Sequence, residues 1–171
     1  MSAAVEIPPP GVYAIDPARS RVTFSGKHLF GLTVRGGFAL LSGRIIVGDP
    51  LEQSMVDADV DAGSFDTGNR QRDVEIRSRR YLDTAQYPVI GFRSGRVRPH
   101  GDGWLLEGVL HVQQATGKIT IVPERATYAD GVFAARATTT VDRTEYGIDT
   151  MASLGGRELK LIVDVTAVAT G

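Results

Sequence analysis

Hydrophobic and polar residues alternate along much of this chain. Between residues 55 and 62, Val56, Ala58 and Val60 alternate with three aspartates. A period of two predicts an antiparallel strand with one buried face and one polar face. The same period recurs from Leu159 to Thr166, and turn sequences such as 101–103 separate the alternating runs. The pattern therefore predicts an all-β chain.

Eight strands are predicted in this way. They cover 19–29, 32–47, 54–62, 89–98, 104–113, 117–125, 132–142 and 157–168. Residues 63–88 lose the alternation and contain helix-compatible residues after Thr67 and Asn69, which predicts a helical excursion between the third and fourth strands.

Eight long strands bury their apolar faces either by closing into a barrel or by packing as a sandwich, and closure also removes exposed edges. The residues assigned to the inward face include many small ones: Gly26, Gly36, Ala58, Gly108, Ala135 and Ala137. Because close-packed interiors leave few gaps, these residues favour an elongated cavity inside a barrel. The alternative is that they mark bulges, or face larger residues across a packed sandwich.

Composition excludes several kinds of function. Nineteen basic and twenty acidic residues give a net charge of -1, so nucleic acid is not an expected partner. The absence of cysteine excludes disulfides and thiolate metal sites. No apolar run approaches the roughly 18 to 20 residues that span a bilayer, so stable membrane insertion is not expected. Residues 1–10 lack the features of a secretory signal and are interpreted as a disordered lead, with a single domain over 11–171 and a cytoplasmic location.

Short motifs in a fixed order resemble those of the YceI-like family. They run from about Gly11 to Val168 and include 34–38, 64–69, 72–73, 81–83, 87–88 and 142–148. The resemblance implies a lipocalin-like, extended eight-stranded antiparallel β-barrel, with a helical element between strands and an apolar tunnel that binds polyisoprenoids or related amphipathic lipids. The chain departs from the family pattern at Tyr13, Arg19 and Glu75, and in the turn 113–117.

The resulting hypothesis is non-catalytic binding, sequestration or transport of a long-chain isoprenoid or similar lipid, without a cofactor. The expected tunnel lining is Phe24, Val34, Phe38, Ile90, Phe92, Leu106, Leu110, Ile119, Ile121, Val141, Leu161 and Val163. His28, Arg72 and Arg77 are candidates for the tunnel mouth or for contact with a lipid head group.

Two other functions remain open at this point. An enzyme could act on a lipid head group at the tunnel mouth through His28 or the pair Arg72 and Asp73. A β-sandwich without a ligand could serve as an interaction module. The three histidines do not have the spacing of metal ligands, so no metal site is expected. The sequence leaves a homodimer open.

Overall fold

A computed structural model describes residues 5–27, 33–148 and 156–170. These residues form nine strands: β1 (Gly11–Ile15), β2 (Arg21–Lys27), β3 (Thr33–Val47), β4 (Met55–Asp61), β5 (Val89–His100), β6 (Gly103–Val112), β7 (Ala115–Ala129), β8 (Val132–Asp142) and β9 (Glu158–Ala169). One α-helix, α1 (Arg70–Arg77), follows β4.

The strands form one closed antiparallel sheet. Its order is β1-β3-β2-β9-β8-β7-β6-β5-β4, and β4 pairs with β3 to complete the ring. β1 and β2 both lie between β3 and β9, so they occupy one strand position in succession. The predicted eight-stranded barrel is confirmed, with β1 as an additional short strand.

The sequence around Asp16 separates β1 from β2. Pro17 begins a 3-10 turn that ends at Arg19. The Asp16 carboxylate accepts the Ala18 N–H at 3.0 Å and the Arg19 Nε–H at 2.8 Å. A short strand ended by an Asp-Pro turn gives little periodic signal, which is why the hydrophobic pattern did not predict β1.

Helix α1 confirms the predicted helical excursion. It lies between β4 and β5, which are the third and fourth of the eight predicted strands. Asn69 caps it by accepting the Arg72 N–H at 3.0 Å. On its inner face Ile76 is fully buried, and the buried Asp73 carboxylate accepts the Thr67 hydroxyl at 2.6 Å. The helix therefore lies against one end of the barrel, which we call the helix end; the hairpin turns around 101 and 130 mark the far end.

Two clusters of buried side chains occupy the two ends of the barrel. At the helix end the ring of Phe24 stacks on that of Phe65 with centroids 5.2 Å apart, and both pack with Ile76. Towards the far end Tyr13 and Ile15 pack with residues of β3 and β9. The space between these clusters is the candidate site.

Two of the small inward residues accommodate aromatic rings. A Cβ on Gly36 would lie 2.5 Å from the Phe24 ring, and one on Gly108 would lie 2.6 Å from the Phe92 ring. Each glycine therefore lets a ring lie flat on the backbone. These two positions do not widen the cavity as the sequence analysis expected, whereas Ala58, Ala135 and Ala137 lie on its wall.

The aspartates of β4 are held by arginines and by local backbone groups. Asp57 lies 3.5 Å from Arg44 Nε, and Asp59 lies 2.8 Å from Arg93 Nη2. Asp61 accepts the Gly63 N–H at 3.0 Å. Asp57 and Asp59 are thus paired with arginines along the outer face of the sheet, where such ion pairs contribute about 0–1 kcal/mol each.

Part of the segment interpreted as a disordered lead, residues 5–10, lies against the barrel in the structure. Val5 forms an isolated parallel bridge with Ala126, and the side chain of Pro8 is buried. These apolar residues cover the barrel interior. The hydrophobic pattern did not indicate this contact, because the stretch is short and rich in proline. None of the helices in the described part of the chain is long and apolar enough to cross a membrane.

Candidate functional site

An apolar cavity of about 310 Å³ runs along the barrel interior. At the helix end it reaches Leu82, Tyr146 and Ile148, and towards the far end it reaches Leu51 and Trp104. Its volume lies at the lower end of the range for small-molecule pockets, roughly 300–1,000 Å³. The closed sheet thus surrounds an elongated space.

The strands supply most of the cavity wall through side chains at alternate positions. β6 contributes Leu106 and Leu110, and β7 contributes Ile119 and Ile121. Their spacing follows from the pleat, because every second residue of a strand points to the same face. The period of two that predicts the strands therefore also predicts which side chains enclose the cavity.

Ten of the twelve residues expected to line the tunnel lie on the cavity wall. They are Phe38, Ile90, Phe92, Leu106, Leu110, Ile119, Ile121, Val141, Leu161 and Val163. Phe24 and Val34 do not lie on it, because they are buried in the cluster around Phe65 and Ile76 at the helix end. That cluster fills the barrel where the two side chains point inward. Contact of any of the twelve with a ligand stays a prediction.

The structure places the head-group candidates Arg72 and Arg77 away from the cavity wall. Both belong to α1, whose inner face is formed by Asp73 and Ile76. The Arg77 Nε–H donates to the Phe65 carbonyl at 3.1 Å, which ties the helix to the preceding loop. His28 lies outside the described residues.

The hydroxyls of Ser54 and Thr139 are the small polar groups on the cavity wall. Ser54 Oγ accepts the Gly48 N–H at 2.9 Å, and the Thr139 hydroxyl donates to the Thr120 carbonyl at 2.7 Å. Because both bond to the protein backbone, they leave the wall effectively apolar.

The charged groups on the described wall lie at opposite ends of the cavity. Towards the far end, a Glu6 carboxylate oxygen accepts the Tyr128 N–H at 3.0 Å. At the helix end, the buried Arg143 donates from Nε to the Gly156 carbonyl at 3.0 Å and from Nη1 to the Ile148 carbonyl at 2.6 Å. The barrel therefore does not bring the two charges together as an acid and base pair.

Asp142 and its partners support the segment that carries Arg143. The Thr144 hydroxyl and the Arg157 guanidinium both donate to the Asp142 carboxylate, at 2.6 and 2.7 Å, and these bonds lower its pKa to about 2. A carboxylate that is ionised at neutral pH caps the 3-10 helix from Arg143 to Tyr146. This turn positions Tyr146 across the end of the cavity.

The Tyr146 hydroxyl is a buried polar group that has no hydrogen-bond partner among the described residues. It lies over β7, where a Cβ on Gly117 would be 2.5 Å from the hydroxyl oxygen. Burial raises the pKa of Tyr146, and the nearby Glu145 raises it further, so the phenol stays neutral.

Residues from outside the predicted strands also line the cavity. Val5–Pro8 cover one side, Leu51 comes from a 3-10 turn, and Leu82 follows α1. Such segments have no period that identifies an inward face, so their place on the wall depends on how they pack against the finished barrel. Except for Glu6, only their apolar character was visible in the sequence. Within the described ranges, His, Asp and Glu side chains form no cluster of three or more that could hold a metal ion.

Comparison with known proteins agrees with this architecture. The sequence model of the YceI-like domain matches residues 13–167. The chain belongs to the YceI-like family. Among curated relatives, a UPF0312 protein of Vibrio parahaemolyticus is 32% identical over 66% of this chain, and the match spans 61% of the relative's length. A UPF0312 protein of Vibrio cholerae is 28% identical over 89% of this chain and 85% of its own length.

Solved structures with low sequence identity share the fold of this YceI-like chain. Burkholderia cenocepacia BcnA superposes with a TM-score of 0.80 at 17% identity, over 90% of this chain and 99% of BcnA. A polyisoprenoid binding domain from Saccharophagus degradans, implicated in plant cell wall breakdown, superposes with a TM-score of 0.72 at 16% identity, over 92% of this chain and 98% of the domain.

Proposed function

We propose that this protein binds a long-chain isoprenoid or a similar amphipathic lipid in the barrel cavity and sequesters or carries it without chemical change. The observation that carries the proposal is the continuous apolar wall between Leu82 at the helix end and Trp104 towards the far end. An elongated hydrocarbon chain matches both the shape of this cavity and its lack of exposed polar groups.

Burial of hydrocarbon provides the free energy of binding. Each methylene transferred from water contributes about 0.8 kcal/mol. A lipid that starts in a bilayer is already removed from water, so its transfer into the barrel is close to neutral for the chain. Reversible exchange with a membrane, as a carrier or store requires, follows from this balance.

The wall favours binding over catalysis. Proton transfer needs a titratable group within hydrogen-bonding reach of the reacting atom, and usually a second group that positions it. Glu6 and Arg143 lie at opposite ends of the cavity, and each is bonded to backbone groups. The solved Saccharophagus degradans domain, described as polyisoprenoid binding, supports the same ligand class. A cytoplasmic location stays a prediction, and so does the choice between monomer and homodimer.

A pair of neighbouring alanines tests the proposal. Ala135 lies on the cavity wall, whereas Ala134 is its neighbour on β8 and does not line the cavity. We expect Ala135→Phe to weaken binding of retinol, a fluorescent isoprenoid alcohol, by about tenfold or more, because the ring occupies the space of the chain. Ala134→Phe, the matched control, leaves the affinity near that of the wild type. Fluorescence titration measures both.

Circular dichroism establishes that both variants fold. If Ala135→Phe fails to fold, Ala58→Leu obstructs the cavity from β4, on the opposite side of the ring, with a smaller side chain. Equal retinol affinities for the folded obstructed variant and the wild type would contradict binding inside the barrel. So would a wild-type protein that does not bind retinol or any longer isoprenoid.

A further inference from the structure

The barrel wall is not closed along its whole height. The ladder between β6 and β7 runs from Val112↔Ala115 only as far as Leu106↔Ile121. Each strand nevertheless continues to the far end with its other neighbour, β6 to Gly103 beside β5 and β7 to Ala129 beside β8. The two hairpins β5–β6 and β7–β8 therefore separate above this last pair and leave a seam in the wall.

Pro123 contributes to the seam. It lies two residues beyond the last pair of the β6–β7 ladder and has no N–H to donate. The pairing of β7 with β8 also shifts register between Pro123 and Arg125. A proline beside a bulge is typical of a strand whose edge is unpaired, because it blocks continued pairing there.

Residues 5–8, which we call the N-terminal strap, lie along the β7 edge of the seam. Val5 bridges Ala126 in parallel orientation, and the Glu6 N–H donates to the Ala126 carbonyl at 3.0 Å. The Tyr128 N–H, on the same edge of β7, donates to the Glu6 carboxylate at 3.0 Å. All four residues of the strap line the cavity, so the strap completes the wall where β6 and β7 diverge.

The described contacts hold the strap weakly compared with the strands. It has one backbone–backbone hydrogen bond and one to a carboxylate, whereas neighbouring strands are joined by continuous ladders. Pro8 is the last residue of the strap and Pro9 and Pro10 follow it, and the lack of N–H groups in these three residues prevents a longer ladder. Segments with few hydrogen bonds and an exposed edge open at a lower free energy than the sheet that they cover.

A pivot lies directly after the prolines. Gly11 has φ of +153°, a backbone conformation that other residues rarely adopt, and a Cβ placed there would meet nothing within 4 Å. The Tyr13 hydroxyl donates to the Pro9 carbonyl at 2.6 Å, so one further hydrogen bond holds the arm to β1, and it breaks when the arm turns about Gly11. A stiff triproline arm on a glycine moves as a unit, since proline restricts its own rotation and that of the preceding residue.

We propose that the seam between β6 and β7 is a lateral portal for the hydrocarbon chain of the ligand, and that the N-terminal strap is its gate. The strap swings away so that an extended chain enters sideways, then closes so that Val5, Ile7 and Pro8 contact the bound chain. The Glu6 carboxylate on the Tyr128 N–H is the polar latch of the closed state. This inference rests on the proposed lipid-binding function and adds the route by which the lipid enters and leaves.

A reversible disulfide tests the gate. The chain has no cysteine, so the double variant Val5→Cys/Ala126→Cys contains a single possible intramolecular bridge. These residues are bridge partners that both line the cavity. We expect the oxidised variant to take up retinol from phosphatidylcholine vesicles about tenfold more slowly than its reduced form, because exchange then requires opening of the locked strap. Reductant restores the faster rate.

A second bridge controls for general stiffening of the barrel. Ala14 and Val168 are paired across β1 and β9, away from the seam, and Ala14→Cys/Val168→Cys leaves the rate unchanged between the oxidised and reduced forms. Mass spectrometry establishes bridge formation. Should the bridge to residue 126 not form, deletion of residues 1–8 replaces it, and we then expect retinol release to become several-fold faster.

The outcomes separate the portal from the proposed function. A locked strap with an unchanged uptake rate, or a deletion with an unchanged release rate, overturns the portal and leaves the end of the barrel as the route. If the wild-type protein and every variant fail to bind retinol and any longer isoprenoid, the proposed function itself has failed.

Discussion

At the scale of single residues, the ring and the hydroxyl of Tyr146 have opposite effects on the stability of the fold. Its ring closes the helix end of the cavity, while its buried hydroxyl has no partner among the described residues. A buried polar group without a hydrogen bond costs about 1–3 kcal/mol. The ring of Tyr146 therefore favours the folded barrel through packing, whereas its hydroxyl lowers the stability of the fold.

Tyr146→Phe removes the hydroxyl and keeps the ring. We expect the free energy of unfolding to rise by up to about 1 kcal/mol, since the unpaired oxygen is lost without opening a large void. Urea denaturation at neutral pH measures the change. Tyr87→Phe is the matched control, because Tyr87 lies outside the cavity wall and its hydroxyl accepts only a long bond of 3.4 Å from Gln86. A loss of stability in Tyr146→Phe would mean that the hydroxyl has a favourable partner.

At the scale of elements, helix α1 is the plug of the barrel. Ile76 is fully buried among Phe65, Leu82 and neighbouring side chains, whereas Val74 on the outer face is 58% exposed. The helix has only eight residues, too few to be stable alone in water, so its packing on the barrel holds it.

Truncation of the two aliphatic residues of α1 separates packing from helix propensity. Ile76→Ala should lower the free energy of unfolding by about 2–5 kcal/mol, because it removes buried methyl groups and leaves a void. Val74→Ala should change it by less than about 0.5 kcal/mol, as expected for exposed positions. Chemical denaturation followed by circular dichroism measures both. Similar values for the two variants would show that α1 does not plug the barrel.

The sequence predicted the elements whose faces alternate and missed those that depend on packing. Period two located the eight long strands and placed side chains such as Leu106 and Ile121 on the inner wall. It did not identify β1, which is short and ends at an Asp-Pro turn. It also assigned Phe24 to the cavity lining. The alternation shows which side chains point into the barrel, but it does not show that other side chains already fill the barrel at the height of Phe24.

At the scale of the whole molecule, the parts that support the barrel and the cavity proposed to bind the lipid lie at different heights along it. The helix end is closed by α1 and the turn around Tyr146, the middle encloses an apolar cavity, and the far end carries the seam and its strap. The head-group candidates Arg72 and Arg77 belong to α1 and do not lie on the cavity wall, and their contact with a lipid head group stays a prediction. Local sequence patterns could not show that the N-terminal strap lies against the edge of β7. That contact depends on where the β6–β7 ladder ends.

Native mass spectrometry of the protein purified from cells without added lipid tests whether the barrel carries a lipid. We expect a population heavier than the bare chain by the mass of one long-chain lipid, released on organic extraction and identified as an isoprenoid or similar amphipathic lipid. That population is depleted in the obstructed variant Ala135→Phe and retained in Ala134→Phe. A protein that carries no lipid and takes up none when lipid is offered in vesicles would show that the barrel is not a lipid-binding site.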